Sequence, residues 1–90
     1  MEFQGSPEDA EKALQHYIEK AGGQSYARRA TICADRDNPG TVIQLIEFDS
    51  YEEAQKNNEL EITEEDNKET EETFGDIAFR NLDVFGEYEV

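Results

Sequence analysis

Apolar side chains recur along this chain with two different periods, and the points where one gives way to the other mark its elements. Ala10, Ala13, Leu14, Tyr17, Ile18 and Ala21 fall at i, i+3, i+4, i+7, i+8 and i+11, one stripe of a helix. Ser6 stands ahead of it as N-cap, Pro7 takes the first helical position, and Glu8 and Asp9 suit the first turn. Gly22-Gly23 supplies the C-cap, and residues 1–4 before the helix read as a short strand. From 26 to 35 the period becomes two: Ala30, Ile32 and Ala34 share one face, while Arg29, Thr31 and Cys33 share the other. Turn residues at 36–40, ending Asn38-Pro39-Gly40, predict a hairpin into the next strand.

That next strand is apolar on both sides. Val42, Gln44, Ile46 and Phe48 point one way and Ile43 and Leu45 the other, so an antiparallel sheet covered by helices on one side would leave a greasy face bare. Ser50-Tyr51-Glu52-Glu53 is a capping box opening a short helix that frays by Asn57-Asn58. Thr63 can cap another turn or two, but 64–73 is polar all round, which predicts a weak helix in a mobile stretch. Ile77, Phe79, Leu82, Val84 and Phe85 predict a last strand, and Tyr88 and Val90 a tail able to pair across an interface. The order strand, helix, strand, strand, helix, strand is ferredoxin-like, an α+β βαββαβ arrangement on one antiparallel sheet.

Ninety residues make one domain, 1–90, with a thin core unless a second subunit adds to it. The net charge of −15 repels phosphate backbones and anionic bilayers, so neither nucleic acid nor membrane is an expected partner. Residues 1–40 carry seven acids and five bases, and residues 41–90 carry sixteen and three, so the acidity belongs to the second half. It peaks over 59–72, inside a segment 59–75 expected to be acidic and mobile; a solvated surface is the plain reading. The lone Cys33 forms no internal disulfide, and no apolar stretch reads as a leader or a span, so the cytoplasm is the expected compartment.

Chemistry is sparsely signalled. Asp35-Arg36-Asp37-Asn38-Pro39-Gly40 begins like a calcium loop, but Pro39 occupies position five and Ile46 position twelve, so it reads as a turn. One histidine and one cysteine are too few for a zinc or iron site, and neither a metal nor another cofactor is expected. A nucleophilic triad would need His16, which the helical wheel turns to the wet side, and Ser6 and Ser50 have capping duties.

Glu47-Phe48-Asp49-Ser50-Tyr51-Glu52-Glu53-Ala54 with Asn57-Asn58, and Asn81-Leu82-Asp83-Val84, resemble small bacterial proteins of the dimeric α+β barrel superfamily, which includes antibiotic-biosynthesis monooxygenases. The resemblance implies a homodimer in which two four-stranded sheets close into a barrel around a ligand pocket, and that closure would cover the two-sided strand. Two departures stand out: only residues 1–4 precede the first helix, and 64–73 lacks the expected apolar face. What the resemblance implies chemically is a pocket for a small apolar or aromatic molecule, worked on without a cofactor by a monooxygenase- or isomerase-like reaction. Candidate ligand contacts are Gln44, polar inside an apolar run, with Phe48 on its face and Tyr17, Tyr51, Arg80 and Asn81 as donors; no catalytic residue is singled out. The alternative is a non-enzymatic module whose acidic half recruits a basic protein. An open cavity where Gln44 meets a tyrosine or arginine favours the first, and an interior filled by Ile46, Phe48, Phe79 and Phe85 the second.

Overall fold

The computed structural model describes all of residues 1–90. Its elements are β1 (Glu2–Gln4), α1 (Pro7–Ala21), β2 (Arg29–Ala34), β3 (Thr41–Glu47), α2 (Tyr51–Glu59) and α3 (Glu61–Phe74). The strands form one antiparallel sheet in the order β1-β3-β2. A further bridge joins Ala78 to Glu2 on the outer side of β1, where the fourth strand of a ferredoxin-like sheet would lie.

Both ends of α1 and the start of α2 follow the sequence signals, whereas α3 starts at Glu61, ahead of the expected cap Thr63, with Leu60 as its N-cap and no side-chain cap bond. The Ser6 side chain accepts the Asp9 N–H at 3.1 Å, and Gly22 takes the left-handed conformation, φ 55°, that glycine adopts without a Cβ clash. At α2 half of the capping box forms: Ser50 Oγ accepts the Glu53 N–H at 3.2 Å, while Glu53 Oε2 is buried without a hydrogen-bond partner.

Cross-strand neighbours settle which face the helices cover. Phe3 lies opposite Val42, Ile32 opposite Gln44 and Ala30 opposite Ile46, so these six share a face. Phe3 and Val42 form the core with Ala10 of α1, and Ile32 and Ala30 flank a groove beside Leu14 of α1. The helices therefore lie over the face of Val42 and Gln44, leaving Ile46 at its end 40% exposed, and the face of Ile43 and Leu45 is the bare one. Only nine of ninety residues are buried, too few to account for a sheet with two apolar sides.

Three expectations need correction. The strand foreseen over 26–35 begins at Arg29, because Asn57 Oδ1 takes the Tyr26 N–H at 2.9 Å and the Ser25 hydroxyl at 3.0 Å, drawing that backbone toward α2. For the same reason α2 does not fray at Asn57, which is buried and makes those bonds. The last strand foreseen over 77–85 shrinks to the Ala78 bridge. The bridge is antiparallel to Glu2 of the three-residue β1, and residues 79–90 are exposed and make no further ladder.

The polar stretch 64–73 lies within a full helix, α3. Thr63, Asp66, Asn67, Thr70 and Phe74 fall at i, i+3, i+4, i+7 and i+11, and all five are buried or half-buried. The threonines satisfy themselves: Thr63 Oγ1 meets the Tyr17 hydroxyl at 3.0 Å, and Thr70 Oγ1 donates to the Asp66 carbonyl at 2.8 Å. Phe74 then packs on Phe3, ring centroids 4.7 Å apart, anchoring the end of α3 to the core.

Candidate functional site

Two surfaces have the chemistry of a site: the bare face of the sheet and the cleft between α1 and α3. On the bare face Ile43 sits between Cys33 and Glu2, and Leu45, 44% exposed, sits beside Thr31. The strip is bounded at one end by Arg29 and Glu47, 3.7 Å apart, and at the other by Gln4, whose Nε2 donates to Thr41 Oγ1 at 3.1 Å. An apolar centre with polar ends is the pattern of a surface that meets another.

The six candidate contacts are not gathered in one place. Gln44 is buried and Phe48 half-buried, Gln44 on the helix-covered side of the sheet rather than the bare one. Tyr17 is half-buried and engaged with Thr63. Tyr51, Arg80 and Asn81 are exposed, the last two just after the Ala78 bridge. None of the six lines either of the two main clefts.

The cleft between α1 and α3, of about 440 Å³, was not foreseen, and its lining includes Asp9, His16, Asp66, Glu69 and Phe74. His16 does point to the outer side of α1, but α3 runs along that side. His16 Nε2 lies 3.8 Å from Glu69 Oε2, and Lys20 Nζ lies 3.0 Å from Glu65 and 3.7 Å from Glu69. The signal was present as two registers: His16 and Lys20 are four apart on one helix, Glu65 and Glu69 four apart on the other. Hydrogen bonding to Glu65 holds the Lys20 ammonium above the usual lysine range. Burial, then the neighbouring Glu69 charge, raises the Asp66 carboxyl above the usual carboxylate range, against the opposing pull of His16 and Lys20.

This seam clamps two helices; it does not enclose an apolar substrate, since Ala13 and Phe74 are its only apolar linings. No cluster of three or more histidine, cysteine, aspartate or glutamate side chains is arranged to hold a metal ion, and no helix is long and apolar enough to cross a membrane.

No family model and no curated protein matches the chain. Among solved structures it is similar to a Deinococcus radiodurans protein provisionally named an antibiotic biosynthesis monooxygenase, with a TM-score of 0.62 over 94% of each chain and 12% identity. The fold is shared. The resemblance carried by residues 47–58 and 81–84 thus holds at the level of a ferredoxin-like α+β fold. An identity this low speaks for backbone architecture, and function has to be argued from the surfaces of this chain.

Proposed function

We propose that the protein works as a homodimer in which the bare sheet faces of two copies enclose a small apolar or aromatic molecule, on which it acts as a cofactor-independent monooxygenase or isomerase. The observation that supports this is the strip of exposed Leu45 with half-buried Ile43 and Cys33, on the sheet face that no helix covers, in a chain whose own core holds only four apolar residues. Two such strips, face to face, would make a dry chamber with the Arg29–Glu47 pairs at its rims. In a dry chamber a phenol or enol gives up its proton to a nearby base while a donor stabilises the oxyanion, and an oxidisable aromatic supplies its own electrons to oxygen. Arg80 and Asn81, exposed beside the sheet, are the donors best able to reach such a chamber, and Tyr51 is a third. Gln44, on the helix-covered side of the sheet, and Tyr17, engaged with Thr63, would lie outside such a chamber. The monooxygenase name of the structural neighbour agrees with this reading.

The second reading, a non-enzymatic module for a basic protein, draws on α3, whose outer surface carries Glu61, Glu64, Glu71 and Glu72 in the open. Native mass spectrometry of the purified chain, with oxygen uptake measured on a panel of hydroquinones without added metal or flavin, separates the two. The barrel reading predicts a dimer carrying a small apolar molecule or consuming oxygen. A ligand-free dimer inert to every hydroquinone would overturn the enzymatic reading in favour of the acidic module.

A further inference from the structure

We infer that α3 is an ionic-strength gate: it stays folded against α1 while cations screen its charge, and opens between two fixed ends when they do not. The inference stands apart from the proposed dimer, whose contact is the bare face of the sheet, away from the helices.

Three features make α3 marginal by itself. Its N-cap is Leu60, which makes no side-chain cap bond. Its last turn has no basic residue, and Glu71 and Glu72 stand there against the negative end of the helix dipole. Within it Glu61, Glu65 and Glu69 follow one another at four-residue spacing, so like charges stack along one face. A fourteen-residue helix of this kind needs docking to persist in water.

The surface on which it docks has the same sign. α3 carries seven acids and one base, and α1 carries four acids and two bases. Against that repulsion stand Lys20, 3.0 Å from Glu65 and 3.7 Å from Glu69, and His16, 3.8 Å from Glu69. These side chains are 37% to 60% exposed, and pairs so wet contribute little. Asp66 reports the imbalance: in the seam its carboxyl is raised by burial and then by Glu69, and the pull of His16 and Lys20 does not cancel the rise.

Distance decides the sign of the salt effect. Packed helix axes lie roughly 8–10 Å apart, so the repulsion between two acidic helices acts over that range. The Lys20 and His16 pairs act at 3.0 to 3.8 Å. The screening length is about 30 Å in 0.01 M salt and about 3 Å in 1 M. Added salt therefore removes the repulsion while leaving much of the contact pairing, and α3 docks more firmly. No three carboxylate, histidine or cysteine side chains are arranged to hold a metal ion, so the effect is one of screening.

The ends do not move with the middle. Asn57, three residues before Leu60, is bonded to Ser25 and Tyr26, and Phe74 packs on Phe3 of the core. Opening is thus a local loss of helix between them, which breaks the Tyr17–Thr63 hydrogen bond and bares the Ala13 wall of the cleft.

The test is hydrogen exchange of the unmodified chain in about 0.01 M and about 1 M KCl at one pH, comparing the amides of residues 65–70 with those of the β2–β3 ladder. In low salt the α3 amides should be roughly a hundredfold less protected than the ladder, and high salt should raise their protection about tenfold or more. The E71K/E72K chain, substituted at two exposed positions, should protect α3 already in low salt and lose more than half of the salt gain. Amides of α3 as protected as the ladder in low salt, or a protection flat or falling as salt rises, would overturn the gate. So would a salt gain left whole in E71K/E72K, or full protection in millimolar MgCl2, which would mean a bound ion in place of screening.

Discussion

Asn57 shows how one side chain can fix the path of a loop. Its Oδ1 accepts from both Tyr26 and Ser25 while the residue is almost wholly buried. Asn57→Ala should therefore cost about 1–3 kcal/mol in denaturant unfolding, because two donors lose their acceptor; a cost near zero would mean that water replaces it freely. Gly5 is constrained by space: a Cβ there would lie 2.6 Å from Phe74 Cδ1. Gly5→Ala is expected to cost about 1–3 kcal/mol by pushing Phe74 off Phe3, measurable in the same way. Of these residues, Ser6 and Ser50 were legible in the sequence because a cap is a local device. Asn57 and Gly5 were not, since their roles depend on segments about thirty and seventy positions away.

Among the elements, α3 is the instructive one. Its inward stripe is made of threonines, Asp66 and Asn67, so a hydrophobicity pattern reads it as solvated on every side, whereas polar groups that bond to Tyr17 or to their own helix can face inward at little cost. Its attachment to α1 is electrostatic as well as apolar, and this gives it a pH dependence of definite sign. Because the folded state raises the Asp66 carboxyl above its usual range, the native chain binds this proton more readily than the unfolded one. The contribution of Asp66 to stability therefore improves as pH falls through that raised value and is unfavourable above it. Asp66→Asn should stabilise the protein at neutral pH and lose that advantage in mild acid, as followed by Tm at the two pH values; equal Tm shifts at both would contradict the assignment. The hairpin of β2 and β3 was legible because period two and turn chemistry are both short-range. The last strand was misread because its apolar residues are those of a strand, while the β1 edge that would receive it is too short.

The whole molecule is a sheet with helices on one side only, and the apolar pattern of β3 anticipated that incompleteness. What the pattern did not anticipate is which side is which: Val42 and Gln44 lie under the helices, with Ile46 at the uncovered end of that face at 40% exposed, and Ile43 and Leu45 lie on the other face. Leu45→Asp is therefore expected to separate two copies without unfolding either, since Leu45 is already 44% exposed in the single chain. Its circular dichroism should match that of the parent while its mass falls to one chain, and a persisting dimer would show that the bare face is not the contact. The candidate site was legible only as an expectation of pairing, because a chamber between two copies leaves no single-chain motif. The measurement that bears most directly on this account is sedimentation equilibrium of the unmodified chain over a wide concentration range. The proposed homodimer has a mass of twice 10.3 kDa, and a mass of one chain at every concentration would contradict it.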